Sequence, residues 1–244
     1  MKMSKTRLYV NKKLSENLII HIKNKQHHFL KNVLRIKLQD LVMVFDGCSG
    51  EWFSKVISIN RDNIVLQVSN KSKNLEEEKD IWLIYAPIKN SRMSITIQKA
   101  TELGVTRFIP CHTEYTNMPK INLKNLKLNI IESSEQSERL TIPSFNEPIK
   151  LTDIIEKFPL DRGLIFCDEQ KIGNPNIYNA LSENIKKYKK WAVIIGPEGG
   201  FSTEERIKIK SISSTISVSL GRTTLRSDTA TTAALFCVQS LLDL

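Results

Sequence analysis

Two short glycine loops and the arginine that ends the second are the features of this 244-residue sequence best suited to chemistry. The first loop is Gly196-Pro197-Glu198-Gly199-Gly200, entered from the apolar Ile194-Ile195 and left through Phe201-Ser202. An apolar strand running into a glycine-rich turn and then a helix is where open α/β sheets hold ligands. The pocket lies outside the carboxyl ends of the strands, and glycine lets the backbone approach closely. The second loop repeats this layout, with Leu220-Gly221-Arg222-Thr223-Thr224-Leu225-Arg226 leading into Ser227-Asp228-Thr229-Ala230. Two such loops after successive strands could form two walls of one pocket. Each alone also reads as less: a tight turn needing left-handed glycines, a surface Arg226–Asp228 pair worth little, or Asp228 serving as a helix N-cap. Neither loop is a G-x-G-x-x-G or a Walker sequence, which argues against dinucleotide or ATP chemistry. A third set, residues 97–105 and 135–139, clusters polar side chains at two helix ends and reads equally as solvated helix face.

The elements needed to hold these loops can be read from periodicity. Strands are expected at 81–86, 105–110, 163–167, 191–195 and 216–220. Helices are expected at 91–103, 123–139, 176–187, 202–211 and 227–242. Gly104 stands where a C-terminal cap belongs, and Ser202 with Glu205 fits a capping box. Alternating strands and helices imply a parallel sheet covered on both faces. The earlier part of the chain differs. Strands at 41–47, 51–60 and 63–69 are separated by turn residues, with one helix at 26–35 whose Phe29, Leu30, Val33 and Leu34 share a face. This reads as a small β-barrel plugged by a helix. The polar stretch 71–79 reads as a linker. The expected division is therefore a barrel over 1–72, a linker over 73–79 and an α/β domain over 80–244.

Charge separates the same two parts. Lys and Arg number 36 against 26 acids, a formal charge of +10, while 41% of residues are hydrophobic, enough for a core. Residues 1–72 hold 13 basic and 5 acidic side chains, and residues 73–244 hold 23 and 21. The surplus sits in the first third, as expected if that part grips phosphates. Cys48, Cys111, Cys167 and Cys237 form no C-x-x-C pair, and free thiols in a reducing cytoplasm are the simplest account. His21, His27, His28 and His112 lack the spacing of a zinc site, so no metal is expected. No run approaches the ~20 apolar residues that span a bilayer, so no membrane association is expected.

Taken in order, Gln98-Lys99-Ala100-Thr101-Glu102-Leu103-Gly104-Val105, Glu135-Gln136-Ser137 with Arg139, residues 196–200, Leu220-Gly221, Leu225-Arg226 and Thr229-Ala230 resemble one family. It is the bacterial 16S ribosomal RNA uracil-N3 methyltransferases of the SPOUT superfamily. Residues 28–35 with Phe45-Asp46-Gly47 extend the resemblance to that family's PUA-like domain, so nearly the whole chain is covered. Four positions depart from it. Glu138 stands where the family often has glycine or another small residue, Ser133-Ser134 replaces small alanines, and Asp228 replaces the more frequent glutamate.

The resemblance implies a C-terminal SPOUT-type α/β domain with a trefoil knot behind a PUA-like β-barrel, and a homodimer. It implies S-adenosyl-L-methionine as methyl donor, held by Ile195, Gly196, Pro197, Glu198, Gly199, Gly200, Leu220, Gly221, Leu225, Arg226 and Thr229. Gly199 and Gly200 are expected to let the backbone approach that donor. The partner is 16S rRNA or the small ribosomal subunit, with Arg7, Lys31, Arg35, Arg92 and Arg139 as RNA contacts. Uracil N3 carries a proton that must leave, so Arg226 and Asp228 are expected in the chemistry. Arg226 could stabilise the anion or bind a phosphate, while Asp228 or Glu198 could take the proton or orient Arg226. A related SPOUT enzyme acting on tRNA and a non-catalytic RNA-binding assembly factor are the competing readings.

Overall fold

The computed structural model describes residues 3–88, 90–116, 121–170 and 173–243. The chain divides into two compact units. The first runs up to Glu77 and takes in Ser134–Ile142, and the second holds the described remainder.

The first unit is a five-stranded sheet built from β1 (Met3–Tyr9), β2 (Ile19–Ile22), β3 (Leu41–Phe45), β4 (Glu51–Ile59) and β5 (Ile64–Lys73), in the order β1-β3-β4-β5-β2. β1 runs parallel to β3 and the other pairs are antiparallel. Alternate residues of every strand point to one core, among them Leu8, Ile20, Val42, Val56 and Leu66. Leu30, fully buried, plugs it.

The plug is not the single helix expected over 26–35. A short helix α1 (Asn24–His28) opens into a π-helical turn, Phe29–Val33. Leu34 N–H bonds back to Phe29 O at 3.0 Å and Ile36 N–H to Leu30 O at 3.1 Å, wider steps than an α-helix makes. Arg35 then turns away at φ 52°. β1 and β2 were not foreseen as strands, and β5 runs three residues into the expected linker stretch. Residues 74–79 carry no regular structure.

Asp46, after β3, ties this unit's turns together. Its carboxylate accepts from Leu14 N–H at 2.8 Å, Cys48 N–H at 2.8 Å, Ser49 N–H at 2.7 Å and the Ser49 hydroxyl at 2.7 Å. Burial pushes its carboxyl up, but these donors outweigh burial and hold it below the ordinary carboxylate range. Asp46→Asn is expected to cost about 1–3 kcal/mol at neutral pH in urea unfolding. The stabilisation is present above the unfolded-state pKa of about 3.9 and is lost as pH falls through the lower folded value. Parent and variant should therefore converge in acid. A constant difference down to pH 2 would contradict this.

Ser134–Ile142 joins the first unit through the polar residues singled out above. Glu135 Oε1 accepts from Tyr9 N–H at 2.8 Å and from Gln26 Nε2 at 3.1 Å. Glu138 has φ 64°, a left-handed conformation that explains why glycine suits this position. Its carboxylate meets Arg7 Nη1 at 3.0 Å, and Arg7 Nε also bonds buried Glu51 at 2.6 Å.

The second unit is an all-parallel sheet in the order β12-β10-β11-β6-β7-β8. Its strands are β6 (Asp80–Tyr85), β7 (Arg107–His112), β8 (Ser144–Phe145), β10 (Arg162–Cys167), β11 (Lys190–Ile195) and β12 (Thr215–Val218), with β9 (Ile149–Lys150) pairing to β7. On one face α4 (Leu151–Glu156) and α6 (Thr203–Lys210) cover Ile84, Ile109, Cys111, Leu164, Phe166 and Ile194. On the other, α7 (Ser227–Leu242) packs on β11 and against α2 (Asn90–Glu102) and α5 (Ile177–Asn184). The expected SPOUT-type α/β architecture therefore holds. β11 follows β10 in the chain yet lies between β10 and β6, so the strand order is not sequential. The expected helices lie within a few residues of those observed, though α3 (Leu123–Gln136) stops before Arg139. α4, β8 and β9 were not foreseen.

Candidate active site

The parallel sheet ends its strands β10, β11 and β12 side by side, and the loops leaving those ends enclose a cavity of about 420 Å³. That volume lies in the range of small-molecule sites, ~300–1,000 Å³. The loop after β11 supplies Ile195, Gly196, Pro197, Glu198 and Gly200 to the wall. The loop after β12 supplies Leu220, Leu225 and Arg226, so the two sequence loops do form two walls of one pocket. Gly199, Gly221, Asp228 and Thr229 do not line it.

Local chemistry shapes each wall. After the first loop, Ser202 and Glu205 form the expected capping box, which starts α6 directly behind the glycines. Gly196 has no side chain because one would meet the Phe201 ring at 2.8 Å. That ring packs edge-on against Phe166, 5.4 Å away, in the sheet core. Arg226 occupies the N-cap position of α7 in extended conformation, with φ −67° and ψ 154°. Asp228 is thus not the N-cap. It sits in the first turn of α7, where the helix dipole favours a carboxylate, and its Oδ1 accepts from Thr229 N–H at 3.0 Å. No ion pair links Arg226 to Asp228 among the described residues, so the surface-pair reading of these two fails here.

Arg92, expected as an RNA contact, lies on α2, lines the cavity and is paired there with Glu198. Three further features of the wall were not read from sequence. Cys167 ends β10 at the wall. Burial, with Cys237 adding to it, pushes its thiol up, so it stays protonated and is a poor nucleophile. Thr223, Thr224, Ser227 and Ala230 complete the side formed by the β12–α7 loop. Asp168 and Glu169 follow Cys167 and face buried Arg206 of α6, which pairs with both. Lys210 Nζ adds a contact at 2.9 Å to Asp168. Burial pushes the Asp168 carboxyl up, but Lys210, the Gln170 N–H and Arg206 overcome this and hold it low. Two adjacent carboxylates at a strand's carboxyl end were the available signal.

The basic residues expected on RNA are distributed differently. Arg7 is committed to Glu51 and Glu138 with its side chain 10% exposed. Lys31 Nζ rests on Asn60 O at 3.1 Å, and Arg35, after the π-turn, is exposed. Arg139 Nη2 bonds Thr141 Oγ1 at 3.2 Å. No cluster of three or more His, Cys, Asp or Glu suited to a metal occurs among the described residues, and none of their helices is long and apolar enough to cross a membrane.

Comparison with known proteins decides the family. Residues 75–239 match the RNA methyltransferase domain, and residues 22–69 match the RNA methyltransferase PUA domain. The chain belongs to the RNA methyltransferase family. Within it, the ribosomal RNA small subunit methyltransferase E of Rickettsia conorii is 31% identical over 240 residues, covering 98% of this chain and 97% of that protein. The enzyme of the same name from Buchnera aphidicola of Schizaphis graminum is also 31% identical, over 250 residues, with the same coverage. The chain is thus a member of the methyltransferase E group, the family its motifs resemble. A structure of the Neisseria gonorrhoeae methyltransferase E bound to S-adenosyl methionine superposes with a TM-score of 0.85 at 23% identity, covering 97% of both chains. A putative methyltransferase of Legionella pneumophila in complex with the same cofactor gives 0.83 at 24% identity, covering 97% of this chain and 98% of that one. These two likenesses establish the shared fold.

Proposed function

We propose that this RNA methyltransferase transfers a methyl group from S-adenosyl-L-methionine to N3 of a uracil in 16S ribosomal RNA. The observation that carries the reading is the single cavity walled by the two glycine loops at the ends of β10, β11 and β12. The wall suits that donor. Ile195, Leu220, Leu225 and Ala230 offer apolar surface for a flat base, and the backbone at Gly196 and Gly200 offers polar groups with no side chain of its own in the way. The donor supplies a methyl already activated on a sulfonium. The chain's own residues must then hold the uracil in line, exclude water and remove the N3 proton.

Arg226, on the wall, stabilises the uracil anion in this reading. Of the carboxylates offered as proton acceptors, Glu198 borders the cavity and Asp228 does not, so in this reading the proton leaves by way of Glu198, which parts from Arg92 to accept it, while Asp228 stabilises the start of α7. Because N3 lies on the pairing edge, the target base must be unpaired or flipped out. A cytoplasmic homodimer belongs to the same reading, with exposed Ile95 of α2 and Phe236 of α7 as apolar surface available to a second copy. Labelled donor supplied with unmethylated small subunits, naked 16S rRNA and tRNA, followed by mapping of the modified base, tests the whole reading. Label in tRNA alone would move the enzyme to another RNA, and no label with a bound donor would reduce it to a binding factor.

The N-terminal unit contributes phosphate contacts through Lys31 and Arg35. The double replacement Lys31→Ala with Arg35→Ala is expected to weaken RNA binding and flatten its dependence on log salt by about 0.7–0.9 per lost contact. Donor affinity should stay unchanged. An unaltered salt slope in filter-binding titrations would show that both side chains face away from RNA.

A further inference from the structure

Glu169 stands on the cavity wall with half of its carboxylate already spoken for. Its Oε1 accepts from Arg206 Nη2 and from Phe201 N–H at 3.2 Å, while its Oε2 has no partner among the described residues. A carboxylate oxygen at the wall of a ligand cavity accepts only, so it calls for an O–H or N–H on the ligand. Charge decides between a neutral and a cationic donor group. Glu169 and Asp168 are matched by Arg206 and Lys210, a cluster of two anions and two cations. An ammonium brought to Glu169 would meet the field of Arg206 immediately behind it, whereas hydroxyl groups meet no such repulsion.

The methyl donor carries a pair of vicinal hydroxyls on its ribose. A carboxylate at the carboxyl end of a sheet strand is placed to read such hydroxyls, as in other α/β sites. We propose, resting on the donor-binding reading above, that Glu169 is the acceptor for the ribose hydroxyls of the methyl donor and that Arg206 is its positioning residue. Arg206 is suited to that task because its planar fork spans both carboxylates at once, fixing Glu169 relative to Asp168 and to the glycine loop. Its own helix is anchored by the Ser202–Glu205 capping box, so the fork is carried on a rigid element and not on a loop.

Calorimetric binding of S-adenosylhomocysteine and of its 2′,3′-dideoxyribose analogue tests this without turnover. The parent should prefer the ribose form by about tenfold or more. Glu169→Ala should erase that preference by losing affinity for the ribose form alone. Glu169→Gln, which keeps the size and one acceptor oxygen, should retain part of the preference with native circular dichroism. Arg206→Lys, whose single ammonium cannot serve both carboxylates, should also retain only part of it. A Glu169→Ala protein that keeps the full preference would overturn the proposal. So would equal losses for both ligands in Glu169→Ala and Glu169→Gln, since that pattern marks a purely structural residue. Failure of the parent to bind S-adenosylhomocysteine at all would instead overturn the donor-binding reading itself, and this proposal with it.

Discussion

Arg226→Ala is expected to slow single-turnover methylation by about 10²–10³, or about 2.7–4 kcal/mol, while leaving donor affinity within a few-fold of the parent. Arg226 is exposed on the cavity wall, and its side chain makes no ion pair or hydrogen bond with another described residue, so its positive charge is available to the reacting base. Its backbone holds the extended conformation of an N-cap, and Ala230 N–H bonds Arg226 O at 2.7 Å. Alanine at this position keeps that main-chain arrangement, so the helix start should survive the change. Arg226→Lys should recover only part of the rate, because a point charge does not reproduce the guanidinium fork. If Arg226 merely braced the loop, the alanine protein would lose thermal stability and donor binding together. A folded, donor-binding variant with a near-parental single-turnover rate would remove Arg226 from the chemistry.

Much of this site was legible before any coordinates, and the misses have physical causes. The strands expected at 191–195 and 216–220, each running up to a glycine, are β11 and β12, and the loops that follow them border the cavity. The pairing of their loops across β10 depends on strand order, which periodicity does not encode: β11 lies between β10 and β6 although it follows both in sequence. Asp168 and Glu169 escaped because the partner that gives them meaning, Arg206, is almost forty residues away on α6. The pairing of Arg7 escaped for the same reason, since nothing local shows that Glu51 and Glu138 will enclose it. The plug helix was read as one regular element because its apolar spacing fits an α-helix. The π-turn that replaces its second half carries the fully buried Leu30, a packing that apolar spacing does not encode. Glu138 shows the converse, a departure from the family's small residue that the sequence did reveal, and its φ of 64° explains why glycine suits that position.

The two glycines that end the first loop are expected to behave very differently when replaced, contrary to their equal treatment in the sequence. Gly199 is exposed and off the cavity wall, and a Cβ there would meet Tyr115 Cβ at 3.1 Å, a contact that a small shift of the loop relieves. Gly199→Ala should therefore change stability by no more than about 0.5 kcal/mol. Gly200 is buried at φ 73°, where an L-residue costs about 1–2 kcal/mol for conformation alone. A Cβ would also collide with Glu169 Oε1, the oxygen that accepts from Arg206 and Phe201 N–H. The absent side chain at Gly200 thus makes room for Glu169, a reason distinct from close approach of the backbone to a donor. Gly200→Ala should lower the melting temperature by several degrees, at about 2–4 °C per kcal/mol for a chain of this size, and weaken donor binding at least tenfold. Because the clash is with one side chain, combining Gly200→Ala with Glu169→Ala should cost less than the sum of the two single changes, leaving mainly the conformational part. Calorimetric melting and donor titration of the four proteins measure that coupling. Strict additivity, or a Gly200→Ala protein as stable and as tight as the parent, would show that the loop relaxes away from Glu169 and that the glycine is not required by it.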